Sequence, residues 1–474
     1  MNTTDTWLAE LRTVIAPERV STSEADLDVH SYDCWPVAVK WRQQGKRPCV
    51  PVAVVRPLNI AEVSLLLSWA SERGVAVTPW GAGSAVTGAP LPLSGGISLD
   101  LSALNRVLVL DETNLLVKVQ AGKMGHHLEA ELNSRGYTLN HSPQSLDRST
   151  AGGWVATRAT GQFSSRWGGI EELLVALTVV LPTGEVIESI FTPRASMGPD
   201  MRQLFIGAEG TMGVVTEVTL KIFPIAPMRI YETLCFPTVS TGLKAMRKIM
   251  RDGLHPFLLR FYDEDESHHA MRDSNATGCA MFLGCEGLEP VARAEHISCL
   301  AICQAEGAER LGPDAAIGWM GRRFDFSTVE NLLAEPGGVA ETIEVAHFWD
   351  GIEPTYRALK AALVPLADQV LGHFSHAYPQ GTSLYMIVLG RAEDAAAAEA
   401  RLERIWDVSM ETALREGAAI SHHHGVGLAR LPYIRRGLGQ NMIVLERIKT
   451  ALDPAGIMSP GKLGLTNRHE HKLP

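Results

Sequence analysis

Through the first part of the chain the apolar positions keep changing period, and each change marks a new element. Residues 50–56 form a short, nearly continuous apolar run and predict a strand, whereas residues 59–73 return apolar side chains every three or four positions and predict a helix. Asn59 is its expected N-cap, because a short side-chain oxygen accepts from an otherwise unpaired amide, and Leu65, Leu66, Leu67 and Trp69 are expected on the core face. Strands are predicted at 75–79, 96–101, 107–110 and 115–120, then a helix over 124–134 that ends near Gly136. Residues 177–188 read as two strands around a Pro-Thr-Gly turn. Later, residues 386–389 read as a strand and the alanine-rich stretch 395–400 as helix. The fold class that follows is α+β. No internal repeat or low-complexity segment interrupts it, and Pro224-Ile-Ala-Pro227 marks a strand exit at which a second domain begins.

With 474 residues and 46% hydrophobic content, the chain can bury more than one core, and two domains are expected. A formal charge of −10 without a sustained basic run argues against nucleic acid or an anionic membrane as partner, leaving a small-molecule substrate. Apolar runs such as 175–181 are far shorter than the roughly 20 residues of a membrane span. Seven cysteines form no Cys-x-x-Cys pair, and their odd number suits reduced thiols, so a cytoplasmic location is expected. Residues 1–10 lack a basic-then-apolar signal, and Lys472-Leu-Pro474 is not a peroxisomal address.

Three loops carry the cofactor chemistry. Residues 79–90, Pro-Trp-Gly-Ala-Gly-Ser-Ala-Val-Thr-Gly-Ala-Pro, follow a predicted strand and combine small residues with two hydroxyls, a composition that leaves backbone amides open to a diphosphate. The loop lacks the Lys-Ser/Thr pair of a P-loop and the strand-loop-helix context of a dinucleotide fingerprint, so ATP and NAD are poor candidates. Residues 142–154 and 161–169 add further hydroxyls and Gly-Gly pairs. One such loop is explained by turn chemistry alone; three are better explained by a long cofactor approached closely by backbone.

These loops, with Leu204-Phe-Ile-Gly-Ala-Glu-Gly-Thr-Met-Gly-Val-Val-Thr-Glu217 and Asp453-Pro-Ala-Gly-Ile-Met-Ser-Pro-Gly-Lys462, resemble the FAD-binding domain of the vanillyl-alcohol oxidase and p-cresol methylhydroxylase superfamily over residues 47–465. The resemblance implies a two-part FAD-binding domain (1–227), a separate α+β cap domain (228–420), a C-terminal segment (421–474) returning to the flavin, and a homodimer. It implies that Trp80, Gly81, Ala82, Gly83, Ser84, Thr87 and Gly88 hold the diphosphate. Pro143, Ser149, Thr150, Gly152, Gly153, Gly161 and Ser164 would contact flavin or ribityl, and Glu209, Gly210, Val214 and Val215 the adenine side. No histidine stands near Ser84 and no cysteine in the second loop, so noncovalent FAD is expected, with a cap-domain histidine as the alternative anchor.

Two segments carry groups for proton transfer. Ser421-His-His-His-Gly-Val-Gly427 places three imidazoles together; in an extended run His422 and His424 would share one side and His423 the other, so no metal is assigned, and exposed loop histidines are the plain alternative. Gly372-His-Phe-Ser-His-Ala-Tyr-Pro-Gln-Gly-Thr-Ser-Leu-Tyr385 brings two histidines and two tyrosines to the start of the strand predicted at 386–389, where a tyrosine bonded to imidazole can act as base if its pKa is lowered. Together the segments resemble the alkyldihydroxyacetonephosphate synthases, in which Tyr385 would take the place of the catalytic tyrosine and His422, His423 and His424 that of the histidine cluster. Those enzymes exchange an acyl for an alkyl group through an adduct on flavin N5. The chain departs from them in having His373 where they place an arginine and no arginine in 327–333, which weakens the case for a phosphorylated ketone unless Arg322 or Arg323 compensates. Gly372-His373 also resembles the start of the metal-associated motif of D-lactate and glycolate dehydrogenases, without that motif's acidic and asparagine positions.

The leading expectation is an FAD-dependent oxidoreductase in which Tyr385, helped by His423, with His373, His422 and His424 beside it, abstracts a proton from a small hydroxylated substrate while hydride passes to flavin N5. Oxygen or an electron carrier would reoxidise the flavin. The alternatives are non-redox alkyl transfer and an FAD-binding protein without turnover.

Overall fold

The computed structural model describes residues 3–271 and 277–466; the C-terminal tripeptide discussed above lies outside them. The N-terminal half is built in two layers. In the first sheet Ala53–Val55 and Val77–Trp80 flank Ile97–Asp100 in parallel, with the short strand Val20–Ser21 added at the edge. Helix Ile60–Arg73 makes the crossover between the two flanking strands. Its Asn59 side chain caps the Glu62 amide, and Gly74 ends it in the left-handed region at φ 64°. Val63, Leu66, Leu67, Trp69 and Ala70 are buried, but Leu65 is 54% exposed, which corrects the expectation for that residue. The apolar stripe runs through 63, 66, 67 and 70, and position 65 falls well off it at the helical angle of about 100° per residue.

The second sheet is antiparallel, ordered Val107–Asp111, Leu116–Gln120, Val214–Lys221, Leu174–Val180 and Val186–Glu188. Leu174–Val180 and Val186–Glu188 are the hairpin expected around the Pro-Thr-Gly turn. Val214–Lys221 is the central strand and is buried except at Lys221, so both of its faces pack, as suits a strand rich in Val and Thr.

From Met228 onward the chain builds a seven-stranded sheet, ordered Glu309–Gly312, Met228–Phe236, Cys279–Gly287, Leu258–Tyr262, Gln369–Ser375, Gly381–Arg391 and Gly338–Phe348. All the registered pairings in it are antiparallel. The strand expected at 386–389 is thus the middle of an eleven-residue strand, and the segment 372–385 spans a hairpin rather than a single approach. Helix Ala395–Glu416, capped by Asp394 on the Ala397 amide, covers one face through Leu402, Ile405, Trp406 and Met410. The last part of the chain then runs back to the first sheet. Met458 bridges to Val77, Ser459 donates its amide to the Val77 carbonyl, and the buried Lys462 Nζ donates to the Gly88 carbonyl at 2.7 Å.

Candidate active site

A cavity of about 810 Å³ opens between the glycine-rich loops and the seven-stranded sheet. That is toward the upper end of the roughly 300–1,000 Å³ of ligand sites, room for a cofactor and a small substrate together. Of the residues singled out for the cofactor, Trp80, Gly81, Ala82, Gly83, Ser84, Pro143, Ser149, Thr150, Gly152, Gly153, Glu209, Gly210 and Val215 line it. Thr87, Gly88, Gly161, Ser164 and Val214 stand behind its wall. Thr87 and Gly88 are tied through their carbonyls to Leu428 and Lys462, Gly161 packs against the Ser142 backbone, the Ser164 Oγ bonds His376 Nδ1 at 2.7 Å, and Val214 is fully buried at the start of its strand.

The glycines are required by the loops' own packing. A Cβ at Gly83, where φ is 65°, would stand 2.4 Å from Trp80 Cζ2, and one at Gly81 would stand 2.7 Å from Thr150 Oγ1. Several buried polar atoms at this end have no hydrogen-bond partner among the described residues, including Ser142 Oγ and Gln162 Oε1. Unpaired buried polar groups of this kind are costly unless a ligand or water meets them, so the donor and acceptor set fits the polar edge of a flavin.

Across the cavity stand Tyr385, His373, His423 and His424, joined by His376. Strand register sets the first pair: His373 lies opposite Tyr385 in the hairpin, and their rings stack at 4.6 Å with 16° between planes. The histidine loop is pinned from behind by Glu344, which lies opposite Tyr385 on the neighbouring strand and is fully buried. Its carboxylate accepts from the Ser421 hydroxyl at 2.9 Å, the His422 and His424 amides, and Arg430 Nη2 at 3.0 Å. Burial works against this charge, yet Arg430 and the adjacent imidazoles hold the Glu344 carboxyl below the usual carboxylate range.

The loop is bent, not extended, so the expected sorting of alternate histidines to opposite sides does not occur. His422 Nδ1 meets His423 Nδ1 at 2.8 Å, and the ring of His376 stacks on that of His422 at 5.2 Å. Each of the two bonded imidazoles also reaches a phenol: His423 Nε2 lies 2.5 Å from the Tyr385 hydroxyl, and His422 Nε2 lies 2.9 Å from that of Tyr378. His422 itself does not line the cavity. His376, His422 and His423 offer ring nitrogens within 4.8 Å of one another, a convergence not foreseen because His376 comes from the hairpin.

Burial governs the protonation states. It lowers His424 to about 4 and His423 and His376 well below the ordinary imidazole value, with neighbouring imidazoles adding to the effect on the latter two. Burial also raises the Tyr385 phenol, with Glu344 adding to the shift, so the condition of a lowered tyrosine pKa is reversed. His373 is held low by burial and then by Arg260. Its Nε2 lies 2.7 Å from Arg260 Nη2, and because a guanidinium only donates, Nε2 is the acceptor and Nδ1 carries the proton, which both Glu266 oxygens receive at 2.8 Å. Neither Arg322 nor Arg323 lines the cavity; they donate to the Ala270 and Met320 carbonyls. Arg260 and Glu266, which do line it, were missed because they sit in an ordinary strand and helix far from any motif.

Residues 51–189 match the family described as "FAD binding domain", and residues 226–463 match "FAD linked oxidases, C-terminal domain". The chain is 30% identical to the alkyldihydroxyacetonephosphate synthase of Caenorhabditis elegans, over 89% of this chain and 77% of that protein. It is also 30% identical to the FAD-linked oxidoreductase YgcU of Escherichia coli, over 96% and 97%. Among solved structures, an alkyldihydroxyacetonephosphate synthase superposes with a TM-score of 0.80 at 24% identity, covering 96% of this chain and 84% of that one. Substrate-bound p-cresol methylhydroxylase superposes with a TM-score of 0.82 at 14% identity, covering 98% of each, and both likenesses concern the fold. The chain therefore belongs to the FAD-linked oxidases, and its cofactor is FAD.

Proposed function

We propose that the protein oxidises a small hydroxylated substrate, and that Tyr385 takes the hydroxyl proton. The observation that carries this reading is the continuous path Tyr385–His423–His422–Tyr378, in which each polar atom lies within 2.9 Å of the next. The flavin, held by the glycine-rich loops, supplies the acceptor for hydride. Tyr385 stays a neutral phenol: as its oxygen receives the substrate proton, its own proton moves to His423 Nε2. The His423 Nδ1 proton crosses to His422 Nδ1, the His422 Nε2 proton to the Tyr378 oxygen, and the Tyr378 proton passes on to solvent, to which this half-buried residue is partly open. No buried group ends the sequence with a new charge, which suits a site where burial disfavours imidazolium and phenolate alike. A resident metal is not part of this reading, since the ring nitrogens of His422, His423 and His376 already face each other, the tyrosines and Ser164.

Non-redox alkyl transfer is the second reading, favoured by the identity to an alkyldihydroxyacetonephosphate synthase. Anaerobic mixing of the holoenzyme with hydroxy acids, phenolic alcohols and acyl-dihydroxyacetone phosphate, followed by flavin absorbance, separates the two: oxidation bleaches the flavin, whereas alkyl transfer alters its spectrum without net reduction. With a substrate so identified, Tyr385→Phe should slow the reaction by at least about 10²-fold. Tyr378→Phe should slow it less, because water can replace the outer phenol, and should change the solvent deuterium isotope effect. Equal rates for wild type and Tyr385→Phe would remove the tyrosine from the proton path.

A further inference from the structure

Three arginines line the cavity, and two of them are already occupied. Arg42 stacks on Tyr32 and reaches Asp28 at 3.5 Å, and Arg148 pairs with Glu330 at 2.5 Å. Arg260 differs. It is half-buried on strand Leu258–Tyr262, and among the described residues it makes no ion pair. Its Nε donates to the Tyr262 hydroxyl at 2.8 Å and its Nη2 to His373 Nε2 at 2.7 Å, while no protein acceptor among the described residues meets Nη1. The side chain is held in place: Tyr262 and Trp319 lie within 5.2 and 5.3 Å of the guanidinium carbon, and His373 is fixed in turn by Glu266. A permanently charged, oriented and unpaired guanidinium at a cavity wall has the chemistry of an anion receptor.

We propose that Arg260 receives a carboxylate of the substrate, so that the protein acts on a small hydroxy acid. This rests on the oxidation reading above and narrows it. Placement supports the assignment, because the imidazole bonded to Arg260 is the one stacked on Tyr385 at 4.6 Å. A carboxylate on the guanidinium would thus occupy the same cavity as Tyr385, next to the imidazole stacked on it. Charge favours a carboxylate over a phosphate: Glu266 already stands beside His373, and neither Arg322 nor Arg323 reaches the cavity to balance a second negative charge. His373 is a positioning residue, acting through the guanidinium.

The test uses ligands that cannot be oxidised, so that binding is read apart from turnover. The FAD-loaded protein is titrated with propionate, propionamide and inorganic phosphate by calorimetry, with flavin absorbance followed in parallel. Propionate should bind at least about tenfold more tightly than propionamide and more tightly than phosphate. Arg260→Met should abolish the preference, and Arg260→Lys should keep part of it. His373→Phe should reduce it while His373→Gln, which retains an acceptor, restores it. Equal affinity for propionate and propionamide, no propionate binding up to about 100 mM, tighter binding of phosphate, or an unchanged preference in Arg260→Met would each overturn the assignment. The wild-type comparison decides the matter even if a variant fails to fold. A clear propionate preference in a protein whose flavin no hydroxy acid reduces would leave the carboxylate site standing and sink the oxidation reading.

Discussion

A phenol whose pKa has been raised by burial needs a partner for its proton, and Tyr385 has one at 2.5 Å in His423. The same burial that disfavours phenolate keeps the imidazoles neutral, and this has a measurable consequence at His424. Its Nδ1 is buried without a hydrogen-bond partner among the described residues, and burial lowers its pKa from 6.5 to about 4. Between those values the unfolded chain binds a proton that the folded chain does not, so this residue's contribution to stability is lost as pH falls from about 6.5 toward 4. Asp33 and Glu341, raised by burial to about 7 and about 8, act in the opposite sense, but they are common to wild type and variant and cancel in a difference. The melting temperature of wild type minus that of His424→Gln should therefore fall, on the order of 1 °C or more, between about pH 7 and pH 4.5. A pH-independent difference would mean that His424 is not held neutral. Tyr385 and the histidine run were legible in the sequence because adjacent imidazoles and a tyrosine before a strand are unusual in themselves. Arg260 was not, since Leu-Leu-Arg-Phe-Tyr reads as any half-buried strand, and only the pairing of Phe261 with Phe374 and Tyr262 with His373 brings it to the site.

At the scale of elements, the site depends on a hairpin and a helix whose sequences specify them to different degrees. The hairpin Gln369–Ser375 and Gly381–Arg391 holds His373 opposite Tyr385, and its strands were only partly legible because His373, Ser375 and His376 break the apolar run that marks a buried strand. The two histidines are tolerated inside because each finds a partner, His373 in Glu266 and His376 in Ser164, while at Ser375 it is the backbone carbonyl that is met, by the Thr382 and Ser383 hydroxyls. Helix Ile60–Arg73, by contrast, announces both ends through Asn59 and Gly74, and only its facing within the Leu65-Leu66-Leu67 run was misread. Two neighbours test that facing. Leu66→Ala should cost about 2–5 kcal/mol in denaturant unfolding, whereas Leu65→Ala, at a residue 54% exposed, should stay within about 0.5 kcal/mol of wild type. Comparable losses at both positions would show that the helix is rotated from the orientation described.

On the scale of the whole molecule, the cavity is enclosed by parts distant in the chain, so the cofactor should act as a fastener between them. Loop 79–84 and the turn at Glu209 form one wall, the seven-stranded sheet another, and the chain after residue 420 joins them. Glu209 accepts from the Val426 and Gly427 amides, Lys462 from the C-terminal segment bonds Gly88, and Lys449 donates to the Thr211 and Met458 carbonyls. These long-range ties explain why the loops were legible as a cofactor site while the closure of the cavity was not: composition reveals a cradle, but only folding shows what comes to rest on it. A ligand bound across such a junction stabilises the folded state by about 2.7 kcal/mol at a hundredfold excess over its Kd. The purified protein should be yellow, acid precipitation should leave the flavin in the supernatant, and the apoprotein should melt several degrees lower until FAD is added back. The absence of a histidine near Ser84 is the basis for expecting release. Flavin that stays with the precipitate would instead indicate attachment to one of the cavity histidines, and the four at the wall, His373, His376, His423 and His424, can then be told apart by substituting each and asking which variant releases its FAD.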